Sequence, residues 1–155
     1  MSKPDQMPQS YVKSDDAVRF ATMIMTGQGV SNEDAAIIAE CLVEADLRGV
    51  QTHGLSRLPV YVERVQRGLV KAMPNMKLEK PVAACASLDG DNAFGFLVGR
   101  KAMQEAINMA DSCGVGVVAA RNSNHFGMAA TYLLQAVKAG YFAFVFTAYN
   151  AHKLC

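Results

Sequence analysis

The stretch GVGVVAARNSNHFG at residues 114–127 indicates how the chain folds. Its run Val115–Ala120 is short, apolar and rich in valine, which is typical of a buried β-strand. A helical pattern precedes this run from about Phe94 to Ser112, and another follows it from about Met128 to Lys138. We therefore expect a strand between two helices, which favours a layered α/β fold.

Two more strand signals flank this unit. Val82–Leu88 is short and apolar, and the next four residues, Asp89-Gly90-Asp91-Asn92, are a strong turn signal. Tyr141–Thr147 is a second β-rich run, whereas residues 71–81 show no regular pattern. The second half of the chain is therefore predicted to run strand, helix, strand, helix, strand.

The first seventy residues predict helices only. Each predicted helix opens at a serine, whose hydroxyl can accept a hydrogen bond from the first turn, and closes at a glycine. The opening residues are Ser14, Ser31 (with Asp34 at the capping-box position) and Ser56 (with Pro59 in the first turn), and the closing glycines are Gly27 with Gly29, Gly49 and Gly68. We expect a disordered lead-in over residues 1–13 and a helical segment over residues 14–70.

Composition excludes several classes of protein. The chain has 155 residues, of which 51% are hydrophobic and 19% charged, so intrinsic disorder is not expected. The net charge of +1 argues against nucleic-acid binding, and no apolar run approaches the roughly 20 residues of a membrane span. The polar start MSKPDQMPQS does not resemble a signal peptide, and the four cysteines include no CxxC motif. These features predict a cytoplasmic globular protein with free thiols and no metal site.

One nucleotide-binding pattern is rejected on its context. Gly114-Val-Gly116-Val-Val-Ala119 matches the letters of GxGxxA, but a dinucleotide-binding loop must follow a strand and open a helix. Here the glycines follow a predicted helix and open a predicted strand. We interpret them as the end of a helix.

The first cluster of candidate functional residues lies between the second and third predicted helices. Arg57 and Tyr61 are four residues apart and share a helix face, and His53 stands in the preceding turn beside Gly54. The helix dipole disfavours an arginine in the first turn, which an anion bound there would explain. The alternative is a solvated arginine, a tyrosine at the core edge and an ordinary loop histidine.

The second cluster, RNSNHFG at residues 121–127, stands where a strand ends and a helix begins. This is the usual place for function in open α/β sheets, and His125 has the side chain best suited to proton transfer near neutral pH. The residues could equally be helix caps and a turn histidine. If the two clusters meet, an arginine for a carboxylate and histidines for a proton would suit 2-oxo acid reduction or its reverse.

Several motifs in the same order resemble the type 2 malate/L-lactate dehydrogenase family. The resemblance covers roughly residues 14–147. It rests on Ala45-Asp46-Leu-Arg48-Gly49, Thr52-His53-Gly54 with Arg57 and Tyr61, Gly68, Asp89-Gly90-Asp91-Asn92 with Gly95, Gly114-Val-Gly116-Val-Val and Ser123-Asn124-His125-Phe126-Gly127.

This resemblance implies an NAD- or NADP-dependent hydride transfer on a small 2-hydroxy or 2-oxo acid. It implies a three-layer α/β fold with a mixed, non-Rossmann sheet, in which residues 71–155 begin the cofactor-binding domain. It also implies a homodimer in the full-length form.

Residue roles follow from the same resemblance. His125 resembles the proton acceptor of the ureidoglycolate-oxidising branch, and His53 with Thr52 resembles a relay pair. Arg57 matches the residue that grips the substrate carboxylate, and Tyr61 matches a proton donor proposed in the imine-reducing branch. The implied cofactor contacts are His53, Asn124, His125, Phe126, Gly127, Met128, Ala129 and Thr147.

The chain also departs from the family pattern. Members are usually more than twice this length, and Ala148 stands where they typically carry an asparagine. Residues 149–155 match nothing expected, so we predict an incomplete domain. The alternative function is a truncated, non-catalytic domain that acts only by associating with a partner chain.

Overall fold

The computed structural model describes residues 11–148, so most of the predicted lead-in and residues 149–155 lie outside the described range. None of the helices in this range is long and apolar enough to cross a membrane. The helices are α1 (Ser14–Thr26), α2 (Asn32–Leu47), α3 (Leu58–Gln66), α4 (Gly95–Cys113) and α5 (Ala130–Lys138), and the strands are β1 (Lys77–Val82), β2 (Cys85–Ala93) and β3 (Val117–Ser123). Two single 3-10 turns, Gln51–His53 and Leu55–Arg57, connect α2 to α3.

The strands form one mixed sheet in the order β1-β2-β3. β1 pairs with β2 in antiparallel register, with Leu78 opposite Leu88. β2 pairs with β3 in parallel register, with Cys85 opposite Val117 and Asp89 opposite Arg121. Helix α4 provides the crossover that a parallel pair requires.

Helix α4 joins the sheet to the rest of the molecule. Its residue Val98 packs with Leu88 and Ala93 of β2, while Phe96 near its start belongs to the core formed by α1, α2 and α3. Tyr132 of α5 packs with Met103 and Ile107 in the middle of α4. The sheet, the α4–α5 pair and the N-terminal helices therefore form three layers, and the predicted three-layer α/β fold with a mixed, non-Rossmann sheet is confirmed.

The glycine pattern in residues 114–119 behaves as predicted. Gly114 ends α4 in the left-handed conformation (φ 76°), and β3 begins three residues later. A side chain at Gly116 would collide with the backbone of Ala106, so this glycine lets the strand cross close to α4. The GxGxxA letters here reflect helix termination and close packing.

The serine caps are predicted correctly at one helix of three. Ser31 caps α2, because its hydroxyl accepts a hydrogen bond from the backbone N–H of Asp34. Ser14 is itself the first residue of α1, and Lys13 occupies the cap position without a side-chain hydrogen bond. Ser56 instead donates to the carbonyl of Gln51, so it stabilises the connection before α3.

The strand boundaries differ from prediction on both sides of β2. Residues 77–81, expected to be irregular, belong to β1, whose mixed Lys-Leu-Glu-Lys-Pro-Val sequence carries no apolar run. The predicted turn at residues 89–92 lies inside β2, where Asp91 and Asn92 have positive φ and the register with β3 shifts. The turn signal therefore marks an irregularity in a strand that continues to Ala93.

Two predicted strands have a different environment from the one expected. β3 exists but is not buried, and Val117 is 54% exposed. Residues 141–147 form no strand ladder with any described residue, so the prediction of a strand there is wrong. The segment still alternates: Tyr141, Ala143 and Val145 pack towards the α4–α5 pair, whereas Phe142, Phe144 and Phe146 are exposed.

The core of the N-terminal helices provides a test of the fold. Leu42 of α2 is 0% exposed, so Leu42→Ala should lower the free energy of unfolding by about 2–5 kcal/mol. Leu47 of the same helix is 72% exposed, and Leu47→Ala should change it by less than about 0.5 kcal/mol. Urea denaturation followed by circular dichroism measures both values. Equal effects of the two substitutions would contradict the packing described for α2.

Candidate active site

The loop that carries His125 follows β3 and is held by the side chain of Asn124. The amide nitrogen of Asn124 donates to the backbone carbonyls of Asn92 and Ala93 at 3.1 and 3.0 Å and to Asn92 Oδ1 at 2.9 Å. Its amide oxygen accepts a hydrogen bond from Arg64 Nη2 at 3.1 Å. The residue before His125 is therefore connected both to the end of β2 and to α3.

The same loop lies directly against the first turn of α4. A Cβ atom at Gly95 would stand 2.5 Å from the carbonyl oxygen of His125, closer than real Cβ contacts allow. Gly127, which follows His125 by two residues, has a φ of 71°, and a Cβ there would collide with the Phe96 ring. These two glycines allow the loop to approach α4 closely enough to position His125.

The turn that carries His53 is held by a carboxylate from α2. Asp46 Oδ2 accepts a hydrogen bond from the backbone N–H of Leu55 at 2.8 Å. A Cβ at Gly54 would lie 2.5 Å from the same oxygen, so a glycine is required there. At the exposed end of the turn, Thr52 Oγ1 lies 3.0 Å from His53 Nδ1.

The two predicted clusters meet at His125. The Tyr61 hydroxyl lies 2.8 Å from His125 Nδ1, although the two residues are 64 positions apart. The His53 ring stacks on the His125 ring with centroids 5.4 Å apart and an interplanar angle of 24°. Residues from α3, from the turn before it and from the loop after β3 therefore form one site.

Tyr61 is the buried member of this site. It is 3% exposed, and the Phe94 and Phe96 rings contact it edge to face at centroid distances of 6.1 and 5.4 Å. Burial raises the pKa of the Tyr61 hydroxyl, while the nearby guanidinium groups of Arg57 and Arg64 act in the opposite direction. The tyrosine is therefore protonated at neutral pH and can exchange a hydrogen bond with His125.

Arg57 is exposed and contributes positive charge at the mouth of the site. Partial burial lowers the pKa of His125, and the charges of Arg57, His53 and Arg64 lower it further. His125 is therefore a neutral imidazole at neutral pH, beside a guanidinium suited to binding a carboxylate. This arrangement can bind a small organic acid and exchange a proton with it.

A sequence profile of the malate/L-lactate dehydrogenase family matches residues 12–154. The chain belongs to this family. Its fold and its His-Tyr-Arg site therefore describe a member of the malate/L-lactate dehydrogenases, as the motif order predicted.

Several similar proteins are named as malate or L-sulfolactate dehydrogenases. The malate dehydrogenase of Pyrococcus abyssi is 40% identical over 142 residues, which is 90% of this chain and 39% of the relative. The L-sulfolactate dehydrogenase of Methanocaldococcus jannaschii is 47% identical over 104 residues, which is 67% of this chain and 30% of the relative. The malate dehydrogenase structure from Pyrococcus horikoshii superposes with a TM-score of 0.80 at 39% identity, over 87% of this chain and 41% of that one. The chain thus spans about 39% of the length of the first of these relatives.

Among the described residues, the side chains of the other predicted cofactor contacts form no hydrogen bond or ring contact with the His125 ring. The Phe126 ring stacks on Tyr132 at 5.4 Å, and the Asn124 side chain is engaged at both ends of its amide. Met128 and Ala129 are partly buried just before α5, and Thr147 is exposed on the extended segment 141–148. The side chains of Phe126 and Asn124 are therefore engaged within the protein, and the Phe126 carbonyl also accepts a hydrogen bond from the Tyr132 hydroxyl.

Sequence reasoning gave no role to three residues that position the His125 loop. Asn92 and Gly95 stood inside the family motif without a role, and Arg64 was one of several charged residues on α3. A helical pattern could have placed Arg64 near Tyr61, since they are three residues apart. No local signal connects Arg64 to Asn124, 60 residues later, because only the tertiary fold brings them together.

The contact between Gly95 and the His125 loop can be tested by adding one methyl group. Gly95→Ala should lower the free energy of unfolding by about 1–3 kcal/mol and move the imidazole NMR signals of His125, because the loop must shift. Gly27 has an ordinary helical φ of −61°, so Gly27→Ala should leave the His125 signals in place. Unmoved His125 signals in Gly95→Ala would contradict the close approach.

The lowered pKa of His125 predicts how stability depends on pH. The unfolded chain takes up a proton near pH 6.5, before the folded protein does, so stability should fall as the pH drops below about 7. His125→Asn should reduce this loss, since it removes the imidazole whose protonation the fold disfavours. Urea denaturation at several pH values gives the comparison, and an equal loss in both proteins would contradict the assignment.

Proposed function

We propose that this chain supplies the acid-binding and proton-transfer residues of an NAD- or NADP-dependent dehydrogenase of small 2-hydroxy acids. The observation that carries the proposal is the contact of His125 with Tyr61 and His53 beside Arg57. Family membership and the names of the similar proteins support the same reaction class.

In the oxidising direction His125 accepts the hydroxyl proton. With the proton of its neutral ring on Nδ1, donated to the Tyr61 oxygen, its Nε2 lone pair is available to the substrate hydroxyl. As the C–O bond becomes a carbonyl, the proton moves to Nε2 and a hydride leaves the substrate carbon. The nicotinamide ring, when bound, supplies the acceptor for that hydride.

In the reducing direction the same groups act as proton donors. Protonated His125 returns its proton to the carbonyl oxygen. The Tyr61 hydroxyl meanwhile holds the imidazole ring in place through its contact with Nδ1. The lowered pKa makes this imidazolium a stronger acid than an ordinary histidine. His53, with Thr52 Oγ1 at 3.0 Å from its Nδ1, is proposed to relay a proton from solvent to His125.

Arg57 is proposed to bind the substrate carboxylate. A guanidinium offers two parallel N–H donors to a carboxylate, and its charge persists at all physiological pH values. Arg57 is exposed just before the start of α3, and its positive charge acts to lower the pKa of both Tyr61 and His125. A carboxylate held there would keep the adjoining hydroxyl carbon close to His125.

The chemistry of this donor set fits a nicotinamide cofactor, because the substrate hydroxyl must lose its proton to a neutral base as its carbon loses a hydride. We propose that His53, His125 and the backbone of residues 124–129 face the nicotinamide, with Thr147 as a further contact. The partly exposed His53 and the exposed His125 are compatible with a planar ring beside them. The proposal covers either NAD or NADP.

The setting of the full protein is proposed from the family. We propose a cytoplasmic homodimer in the full-length form, whose cofactor-binding domain begins after the helical segment of residues 14–70. The described cysteines, Cys41, Cys85 and Cys113, are free thiols, which supports a reducing compartment.

A fluorescence titration tests cofactor binding by the 155-residue chain. NADH should give a saturable signal that His125→Ala weakens strongly, because the proposed nicotinamide contact includes that residue. Arg67→Ala is the control and should bind as the unchanged protein does, since Arg67 is exposed and paired with Glu63. Absence of saturable binding would favour the alternative, a non-catalytic domain that acts through a partner chain.

The role of Arg57 is tested by an exchange that keeps its charge. Arg57→Lys should weaken L-malate binding by about tenfold or more, because lysine lacks the two-pronged donor. The control is Arg67→Lys, since Arg67 is exposed and paired with Glu63. NMR titration of the His125 signals with malate gives both affinities, and equal values would refute the carboxylate-binding role.

A further inference from the structure

Arg64 lies on the same face of α3 as Tyr61, and its side chain contacts the loop that carries His125. Its Nη2 donates to Asn124 Oδ1 at 3.1 Å, and its side chain is partly buried. Tyr61 contacts the His125 ring itself. One helix therefore holds both the histidine ring and the residue that precedes it in the chain.

The contact continues beyond Asn124 through a second asparagine. The Asn124 amide nitrogen donates to Asn92 Oδ1, and the Asn92 amide nitrogen donates to the carbonyl of Leu69 at 3.1 Å. Leu69 lies shortly after the end of α3. The hydrogen bonds therefore lead from α3 to the His125 loop, then to β2, and back to the chain just after α3. Such a closed set of contacts resists displacement of any one member.

We propose that Arg64 is a positioning residue, which acts through Asn124 to hold His125 against Tyr61. This role rests on the proposed function of His125 in proton transfer. The hydrogen bond between Arg64 and Asn124 does not depend on that function. Arginine suits the task because a guanidinium stays charged throughout the physiological pH range, so the loop stays held whether His125 is charged or neutral.

The position of Arg64 also has an electrostatic consequence. The groups that face His125 are Arg57, His53, Arg64 and the neutral Tyr61 hydroxyl. Partial burial lowers the pKa of His125 most, and these three basic residues lower it further. Loss of Arg64 therefore releases the loop and removes one positive charge, and both changes should ease protonation of His125.

The experiment compares Arg64→Gln with Arg67→Gln in the 155-residue chain. Arg67 lies three residues later on the chain, is exposed and pairs with Glu63, so its loss removes a charge without touching Asn124. Amide hydrogen exchange should become about tenfold faster or more across residues 123–126 in Arg64→Gln alone. NMR titration should show the pKa of His125 rising towards 6.5 in the same variant.

A third variant separates position from charge. Asn124→Ala keeps the Arg64 guanidinium but removes its acceptor, so it should speed exchange across the loop, and adding Arg64→Gln to it should speed exchange little further. If circular dichroism shows that Arg64→Gln does not fold, Arg64→Lys replaces it and should shift both readouts in the same direction by less. Identical results for Arg64→Gln and Arg67→Gln would overturn the proposal.

These readouts need neither cofactor nor substrate. Faster amide hydrogen exchange in the His125 loop of Arg64→Gln, together with no NADH binding by the unchanged chain, would support the positioning role and contradict the proposed function. Saturable NADH binding by the unchanged chain, together with unchanged amide exchange in the His125 loop of Arg64→Gln, would support the proposed function and overturn the role of Arg64.

Discussion

The contact of the Tyr61 hydroxyl with His125 Nδ1 is the interaction on which the site depends. It joins α3 to the loop after β3 across 64 positions of the chain, at 2.8 Å. Because Tyr61 is held edge to face by Phe94 and Phe96, the core of the N-terminal helices fixes one end of this contact. The histidine that meets it is thereby oriented by residues that belong to the core.

Close backbone approach is the second requirement. Gly95 lets the His125 loop lie on the first turn of α4, and Gly54 lets the His53 turn lie against the carboxylate of Asp46. At both positions a Cβ would occupy space that another residue already fills. The family motif around His53 and His125 therefore combines residues suited to chemistry with the glycines that let them converge.

The sequence predicts the helices and the two clusters because these depend on local patterns. The helical period and the Val-rich run of residues 115–120 place α4, β3 and α5 within a few residues. The polar strand β1 escapes prediction, since its pairing with β2 and not its composition makes it a strand. Burial of β3 and pairing of residues 141–147 depend on neighbouring segments that no local pattern reports. For the same reason Arg64 and Asn92 emerge only from the folded structure.

The most direct test of the account is a nuclear Overhauser experiment on the 155-residue chain with assigned aromatic signals. Cross-peaks should connect the His125 imidazole protons to the rings of both Tyr61 and His53, whose centroids lie 6.2 and 5.4 Å away. A folded chain in which His125 shows neither cross-peak would place the two clusters apart. That result would contradict a shared site for acid binding and proton transfer.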